Sequence, residues 1–437
     1  MHEDSKPGRS SDALSLAGIL IISLVFLFAV FQQLTPKSSL DGYERVFRNI
    51  VLGYLGFMTL RTIVLVLLSF ADRFFNHFRN SSSSRPLVSI LVPCFNEEVV
   101  VQKAIASILT LDYPNLEILV IDDGSTDLTL VRAQVMESDR RVRVIYQKNQ
   151  GKAEALNRGI QEAQGEYVLC VDADSLLLPD VITQGLPYFD RDPRVAAVAG
   201  SVRVGNSQGI LAKFQRLEYI VGLNFHKTAQ SFLGAVMIVP GPVGLFRRSA
   251  ILSVGGYRSD TFAEDCDLTI RLLMRGYRTV YSPGMVAITE APEDFTSLLK
   301  QRYRWSRGTF QAIKINSYWL TRPFTNFRNF TILTVFLIET LVIPCMNFLL
   351  AILFIHHAIV GEGIVMLGPF FAQLTLLDLV LTSYSVVFER SVGTLVFLSV
   401  INRTTYGLAM EVLRFFSVID EIFGLPMNWN KLERKGL

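Results

Sequence analysis

Charge is scarce in this sequence. Only 19% of the 437 residues are charged, and 42 basic against 39 acidic side chains leave a net +3, too little to hold a nucleic acid through its phosphates. Cysteine is scarcer still. The four, Cys94, Cys170, Cys266 and Cys345, have no paired metal-ligand spacing, and three lie in stretches of cytosolic character, where disulfides rarely persist. They read as reduced core thiols. With 29 Gly and 16 Pro, the collagenous, low-complexity and disordered classes fall away as well. What is plentiful is apolar. Half of the residues are hydrophobic, Phe alone numbers 31, and the mean hydropathy is +0.35, which disfavours a wholly soluble single domain.

No charge falls between Ala13 and Pro36, and the run AGILIISLVFLFAV is long enough for a helix to cross a hydrocarbon core of roughly 30 Å. A signal peptide would have a shorter apolar core and a small-residue cleavage site, and none precedes Lys37. A second span is expected from Asn49 to Ala71, where Arg61 is the one charge and must face a partner or snorkel. Residues 1–72 therefore read as two transmembrane helices. Residues 73–85, with Ser81 to Ser84, form a linker.

A globular pattern follows. Short runs rich in Val and Ile at 87–92, 116–121 and 166–172 alternate with helical stretches at 99–111, 126–137 and 152–163, which predicts an α/β domain on a largely parallel sheet. In the third helix Leu156, Ile160 and Ala163 fall at i, i+4 and i+7, the apolar stripe of a helix laid on a sheet. Residues 309–329 mix aromatics with Lys314, Arg322 and Arg328, as amphipathic helices at a bilayer surface do. Phe330 to Ile355 and Ile364 to Phe388 can span, carrying Glu339 and Asp378, carboxylates expected to face protein or a polar path. In Val392 to Phe416 the run Asn402, Arg403, Thr404, Thr405 intervenes, so residues 389–437 read as a broken, re-entrant or interfacial element with a tail.

Candidate chemistry sits where strands end. The first run leads into Pro93, Cys94, Phe95, Asn96, and the second into Asp122, Asp123, Gly124, Ser125, at the carboxyl ends where open α/β sheets bind ligands. Asp-Gly-Ser is equally a common turn and cap. The third run ends in Asp172, Ala173, Asp174, two carboxylates spaced to reach a divalent cation on a diphosphate, or simply solvated acids of a loop. Lys152 opens a helix after Gly151, where an ammonium and free N–H groups can meet phosphate. Glu264 and Asp265 open another, as a general base or a cap. Gln301, Arg304 and Trp305 share one helical face, with Arg302 and Tyr303 expected to turn away. They offer an amide, a guanidinium fork and a flat plate for a sugar ring. A juxtamembrane basic anchor is the plainer reading of the same stretch.

This ordered set, flanked by membrane spans, resembles the membrane-bound processive family 2 glycosyltransferases: cellulose, chitin, hyaluronan and poly-N-acetylglucosamine synthases. PCFNEE (93–98), NQGKAEAL (149–156), FRRSA (246–250) and WNKLERKG (429–436) make it most similar to the bacterial poly-β-1,6-N-acetylglucosamine synthases of biofilm matrices. The resemblance implies a GT-A domain over 86–308 that faces the cytosol and is embedded between transmembrane helices of the plasma membrane. By the same resemblance Pro93, Asn96, Asp122 and Asp123 hold uridine and Lys152 the diphosphate. Asp174, helped by Asp172, holds Mg²⁺ or Mn²⁺; Asp265, beside Glu264, is the base; Gln301 and Arg304 bind pyrophosphate; Trp305 stacks the acceptor sugar. UDP-GlcNAc as donor, a polysaccharide acceptor, the lipid bilayer and a small accessory membrane subunit are the implied partners; a nucleic acid is not. Where related synthases often have Ser-Gly, this chain has Pro240-Gly241-Pro242. A single-sugar transferase acting on a lipid, another synthase of the family and a dead transport subunit are the rival readings.

Overall fold

The computed structural model describes residues 42–76, 85–206, 209–360, 364–389 and 393–426. The first expected span, the Ser81 to Ser84 linker and the WNKLERKG tail lie outside these residues. The chain divides into two compact units, one joining the stretch up to Leu67 to Met346–Ala409, the other joining Leu68–Cys345 to the segment from Met410 onward.

The second unit is built on an eight-stranded sheet of β1 (Val88–Cys94), β2 (Leu116–Asp123), β3 (Val142–Gln147), β4 (Tyr167–Cys170), β5 (Ser175–Leu177), β6 (Val195–Val204), β7 (Gly244–Arg247) and β8 (Arg278–Thr289), in the order β3-β2-β1-β4-β7-β6-β8-β5. The β3-β2-β1-β4 half is parallel, as is β6 with β8, while β7 runs antiparallel to β4 and β6, and β5 antiparallel to β8. Strand β1 reads VSILVPC without alternation because both of its faces are covered. Ile90 and Val92 pack with Ile105 and Ile108 of α2 (Val101–Leu109) on one face. Leu91 points to the other, where Leu156 and Ile160 of α4 (Lys152–Glu162) meet Leu119 and Ile121. The stripe read from sequence, Leu156, Ile160 and Ala163, is buried. Between them α3 spans Thr129–Val135.

Helix α5 (Glu264–Met274) packs Leu268 and Leu272 onto the α4 side of the sheet. Helix α6 (Phe295–Ile315) runs unbroken through residue 308, so the domain boundary expected there falls inside a helix. It starts on an Asp294 cap whose carboxylate accepts from the Ser297 N–H at 2.8 Å. After a 3₁₀ turn, Ser317–Thr321, Phe324 stands almost fully exposed and Phe327 largely so. Helix α7 (Phe327–Leu337) passes through a π-helical turn containing Glu339 into α8 (Ile343–Val360), followed by α9 (Ile364–Phe388), α10 (Thr394–Asn402) and α11 (Tyr406–Ile422).

Among the described residues three helical stretches are long and apolar enough to cross a membrane: Arg45–Phe75 in α1 (Gly42–Asn76), Phe327–His356 and Gly368–Phe388. In the first unit Asp378 of α9 takes a two-pronged ion pair from Arg403, Nε and Nη2 each at 2.9 Å, at the break between α10 and α11. A carboxylate inside a long apolar helix thus has a guanidinium opposite it, the pairing that makes such a charge tolerable.

Candidate active site

The parallel register sets Cys94 opposite Asp122, so the acidic end of β2 lies beside the end of β1. Asp123 is buried and saturated with donors: Gln147 Nε2 at 2.7 Å, the Gln150 N–H at 2.9 Å and the Gly151 N–H at 2.8 Å. It therefore shapes the turn that delivers Lys152. Gly124 makes the approach possible, since its φ is +72° and a Cβ there would lie 2.7 Å from the Asn149 nitrogen. Asn96, at a φ of 54°, accepts the Thr126 N–H at 2.8 Å and donates its own N–H to Ser125 Oγ at 2.9 Å. Pro93 sits half-buried near the end of β1. Asp122 is fully buried; one carboxylate oxygen accepts the Ser125 N–H at 3.2 Å and the other, Oδ1, meets no donor among the described residues.

Lys152 joins two motifs that lie 92 residues apart, at Asp172 and Glu264. Its ammonium is 2.6 Å from Asp172 Oδ1 and 3.2 Å from Glu264 Oε1. Burial disfavours that charge, and the carboxylates of Asp172 and Glu264 outweigh the burial, holding the lysine firmly protonated. Gly241 closes over the pair: a Cβ on it would lie 2.9 Å from Lys152 Nζ and 3.1 Å from Asp172 Oδ1. The Pro240-Gly241-Pro242 segment is thus a wall of the site, and a glycine between two prolines was its signal in the sequence. Asp265, beside Glu264 at the start of α5, accepts the Cys266 N–H at 2.8 Å. Dense protein around its carboxyl, then the Glu264 charge, push it up to about 6, against the pull of Lys152.

Helix α6 borders the same region. Gly308 lets it lie on the segment before Glu264, where a Cβ would meet the Ala263 nitrogen at 2.7 Å and the Phe262 carbonyl carbon at 2.8 Å. Gln311 Oε1 accepts the Phe262 N–H at 3.1 Å, and Thr261 Oγ1 donates to the Gly308 carbonyl at 3.2 Å. On its other flank Glu421 of α11 accepts from Arg307 Nε at 2.8 Å and Gln311 Nε2 at 2.9 Å, and Tyr303 OH donates to Asp420 at 2.7 Å. Tyr303 thus turns toward α11. Arg302 does not turn away from the Gln301, Arg304 and Trp305 face as its helical position predicts. It is buried, ion-paired with Glu218 at 2.8 Å, and its guanidinium lies 4.2 Å from the Trp305 ring centroid, because a long side chain can double back along its helix. Gln301 is buried beside it, while Arg304 and Trp305 keep part of their surface. Tyr219 lies 6.4 Å from Trp305. Burial pushes the Tyr219 hydroxyl up, with Arg302 opposing and the Asp174 charge adding to the rise, so Asp174 is within electrostatic reach of this aromatic pair. Glu218 and Tyr219 carried no motif signal; an 84-residue separation joins Glu218 to Arg302.

Asp174 Oδ1 accepts from Ser175 Oγ at 3.1 Å. Among the described residues no three His, Cys, Asp or Glu side chains form a ready-made metal cluster. Two hard carboxylates one residue apart fit a cation whose remaining ligands are phosphate oxygens and water, the usual arrangement for Mg²⁺.

Acidic strand ends, a half-buried lysine and an acidic helix start on one edge of this mixed, mostly parallel sheet make a GT-A glycosyltransferase domain. More particularly, residues 89–255 match the Glycosyl transferase family 2, and the chain carries a domain of that family. The poly-beta-1,6-N-acetyl-D-glucosamine synthase of Staphylococcus aureus (strain COL) is 33% identical over 276 residues, 61% of this chain and 66% of that protein. The synthase of the same name from Staphylococcus epidermidis is 34% identical over 54% of this chain and 57% of its own. The aligned stretch thus spans just under two thirds of the first relative and little more than half of the second. A mannosyltransferase from Pyrobaculum calidifontis, solved with GDP-Man and Mn²⁺, matches at a TM-score of 0.56 and 19% identity, over 86% of this chain and 99% of that one, a likeness of fold.

Proposed function

We propose that this protein is an inverting, processive glycosyltransferase that adds N-acetylglucosamine from UDP-GlcNAc to a β-linked polysaccharide and exports the product across the plasma membrane. One observation carries the reading: the Lys152 ammonium bridges Asp172 of the Asp-Ala-Asp turn and Glu264 beside Asp265, so the donor-side and base-side motifs form one site. The similarity to poly-N-acetylglucosamine synthases supports the donor and the polymer. In this reading Pro93, Asn96, Asp122 and Asp123 frame the nucleoside at the strand ends, and Lys152 faces the diphosphate. Gln301 and Arg304 bind it from α6, and Trp305 stacks the acceptor sugar. Asp174, with Asp172, holds Mg²⁺ or Mn²⁺, which supplies charge neutralisation at the leaving diphosphate. The Mn²⁺ of the Pyrobaculum enzyme supports such a use of metal.

Asp265 takes the proton of an acceptor hydroxyl as that oxygen attacks the anomeric carbon. The bond to UDP breaks on the opposite side, and the donor's α linkage becomes β. Its raised proton affinity suits a base working near neutral pH. The supply of UDP-sugars places residues 86–308 in the cytosol.

The test is direct: enzyme purified in detergent, given UDP-GlcNAc with Mg²⁺ or Mn²⁺, should release UDP and form high-mass polymer. Intact UDP-GlcNAc and other UDP-sugars after incubation overturn the reading. A product one sugar heavier than a lipid acceptor replaces it with single transfer.

A further inference from the structure

The Gln-Arg-Tyr-Arg-Trp stretch has an arginine, Arg302, whose guanidinium the proposed chemistry does not use. It is 5% exposed and fully engaged. Nε and Nη2 reach the Glu218 carboxylate at distances from 2.8 to 3.1 Å, while Nη1 donates to Gln301 Oε1. Its plane lies 4.2 Å from the Trp305 ring centroid and 5.5 Å from that of Tyr219. Glu218 opens a π-helical stretch, Glu218–Phe225, an irregular winding found mostly at functional positions.

Two consequences follow from elementary chemistry. A guanidinium has donors only, so Gln301 must turn its carbonyl oxygen to Arg302 and its two N–H bonds the other way. No acceptor among the described residues bonds that Nε2, so the amide is fixed as a donor toward an anion. The Arg302 guanidinium over the Trp305 ring, with Tyr219 tilted against it at 6.4 Å, also holds the orientation of that indole.

We infer that Arg302, held by Glu218, is a positioning residue that sets Gln301 as a donor to the diphosphate and orients Trp305 for the acceptor. The inference rests on the proposed function for the identity of those ligands. A merely structural ion pair would act through stability alone. Here the polarity of Gln301 and the tilt of Trp305 change even where the pair's stability is restored.

The experiment uses the full chain in detergent with Mg²⁺ and reads three quantities: thermal midpoint, UDP affinity by calorimetry, and the acceptor KM with N-acetylglucosamine oligomers. Glu218→Arg combined with Arg302→Glu restores an ion pair but turns the Gln301 amide round, presenting its oxygen to phosphate. It should recover the midpoint lost in either single variant, yet bind UDP at least tenfold more weakly than wild type and show a raised acceptor KM. Gln301→Glu keeps a partner for Arg302; it should hold the midpoint and lose at least as much UDP affinity. A double variant with wild-type UDP affinity and acceptor KM, or a Gln301→Glu variant that binds UDP normally, overturns the inference. Wild-type enzyme that binds no UDP overturns the proposed function instead.

Discussion

Gly308→Ala tests whether α6 sets the position of Asp265, the proposed base. A methyl group there would lie 2.7 Å from the Ala263 nitrogen, 2.8 Å from the Phe262 carbonyl carbon and 2.9 Å from Ala263 Cβ, against 3.4–4 Å for ordinary contact. Two of those atoms are backbone, so no side chain can swing aside, and helix and segment must part by about 0.7 Å. Overpacking of this kind costs ~1–3 kcal/mol, offset by up to about 1 kcal/mol of helix propensity gained over glycine. The thermal midpoint should fall modestly. Catalysis should suffer far more, because Ala263 directly precedes Glu264 and Asp265, and the Gln311–Phe262 and Thr261–Gly308 bonds loosen with the same shift. Misplacement of a reacting group by roughly 1 Å can lower the rate about 10²-fold. UDP release from UDP-GlcNAc measures the rate, and calorimetry with UDP should show retained binding, since Lys152 and Asp123 are untouched. Gly53→Ala, with nothing within 4 Å of the added methyl, is the control. Gly308→Ala turning over at the wild-type rate would refute the coupling of α6 to Asp265.

Asp265→Asn should lower transfer by roughly 10²- to 10⁴-fold with UDP binding kept, as the amide retains shape and loses the proton acceptor; single-turnover transfer checks it, and near-normal turnover removes Asp265 as base. Asp174→Ala, or chelation of wild type by EDTA, should weaken UDP binding through loss of the cation; calorimetry at graded Mg²⁺ reads it, and unchanged metal dependence in the variant moves the cation elsewhere. The transfer rate should fall as pH drops through about 6, the value to which burial and Glu264 lift Asp265, and a rate flat from pH 7 to 5 contradicts that. Stability carries the opposite sign. A carboxyl whose proton affinity rises on folding stabilises the fold below its unfolded pKa, and that contribution is lost as pH rises through about 6. Asp265→Asn should therefore flatten the pH dependence of the thermal midpoint across that window.

Strands β1, β2 and β4 were legible because they are apolar runs that alternate with helical stretches, each a local signal, whereas β3, VRVIYQ, is interrupted by Arg143 and was not read. Nor was Val195–Val204. Four of its ten residues are Ala or Gly, which favour no strand, and it forms only through pairing with β7 and β8. Motif residues on the legible elements, Asp123, Lys152, Asp172 and Asp174, could be placed at strand ends and helix starts by inspection. Their partners could not: what Arg302 touches depends on Glu218 in a π-helical segment, and no local pattern announces that contact. Gly241 and Gly308 mark close approaches that become evident only when the second surface is in place.

The electrostatics of the site link several of these observations. Asp172, Asp174, Glu264 and Asp265 bring four carboxyl groups to one region, and the Lys152 ammonium is shared by Asp172 and Glu264. One cation between two acids leaves Asp265 facing surplus negative charge, which is part of why its proton affinity rises. An anion drawn to Lys152 competes with both carboxylates for the same ammonium. A diphosphate arriving alone would thus deepen the imbalance, whereas a diphosphate arriving with a divalent cation restores it, so the two favour one another's binding. In the proposed function the Gln301 amide, its oxygen taken by Arg302, would add attraction for the anion without adding a charge that would disturb Asp265. In the proposed function the site would meet a diphosphate leaving group with hydrogen-bond donors and a shared lysine, a division that leaves Asp265 free to hold and release a single proton.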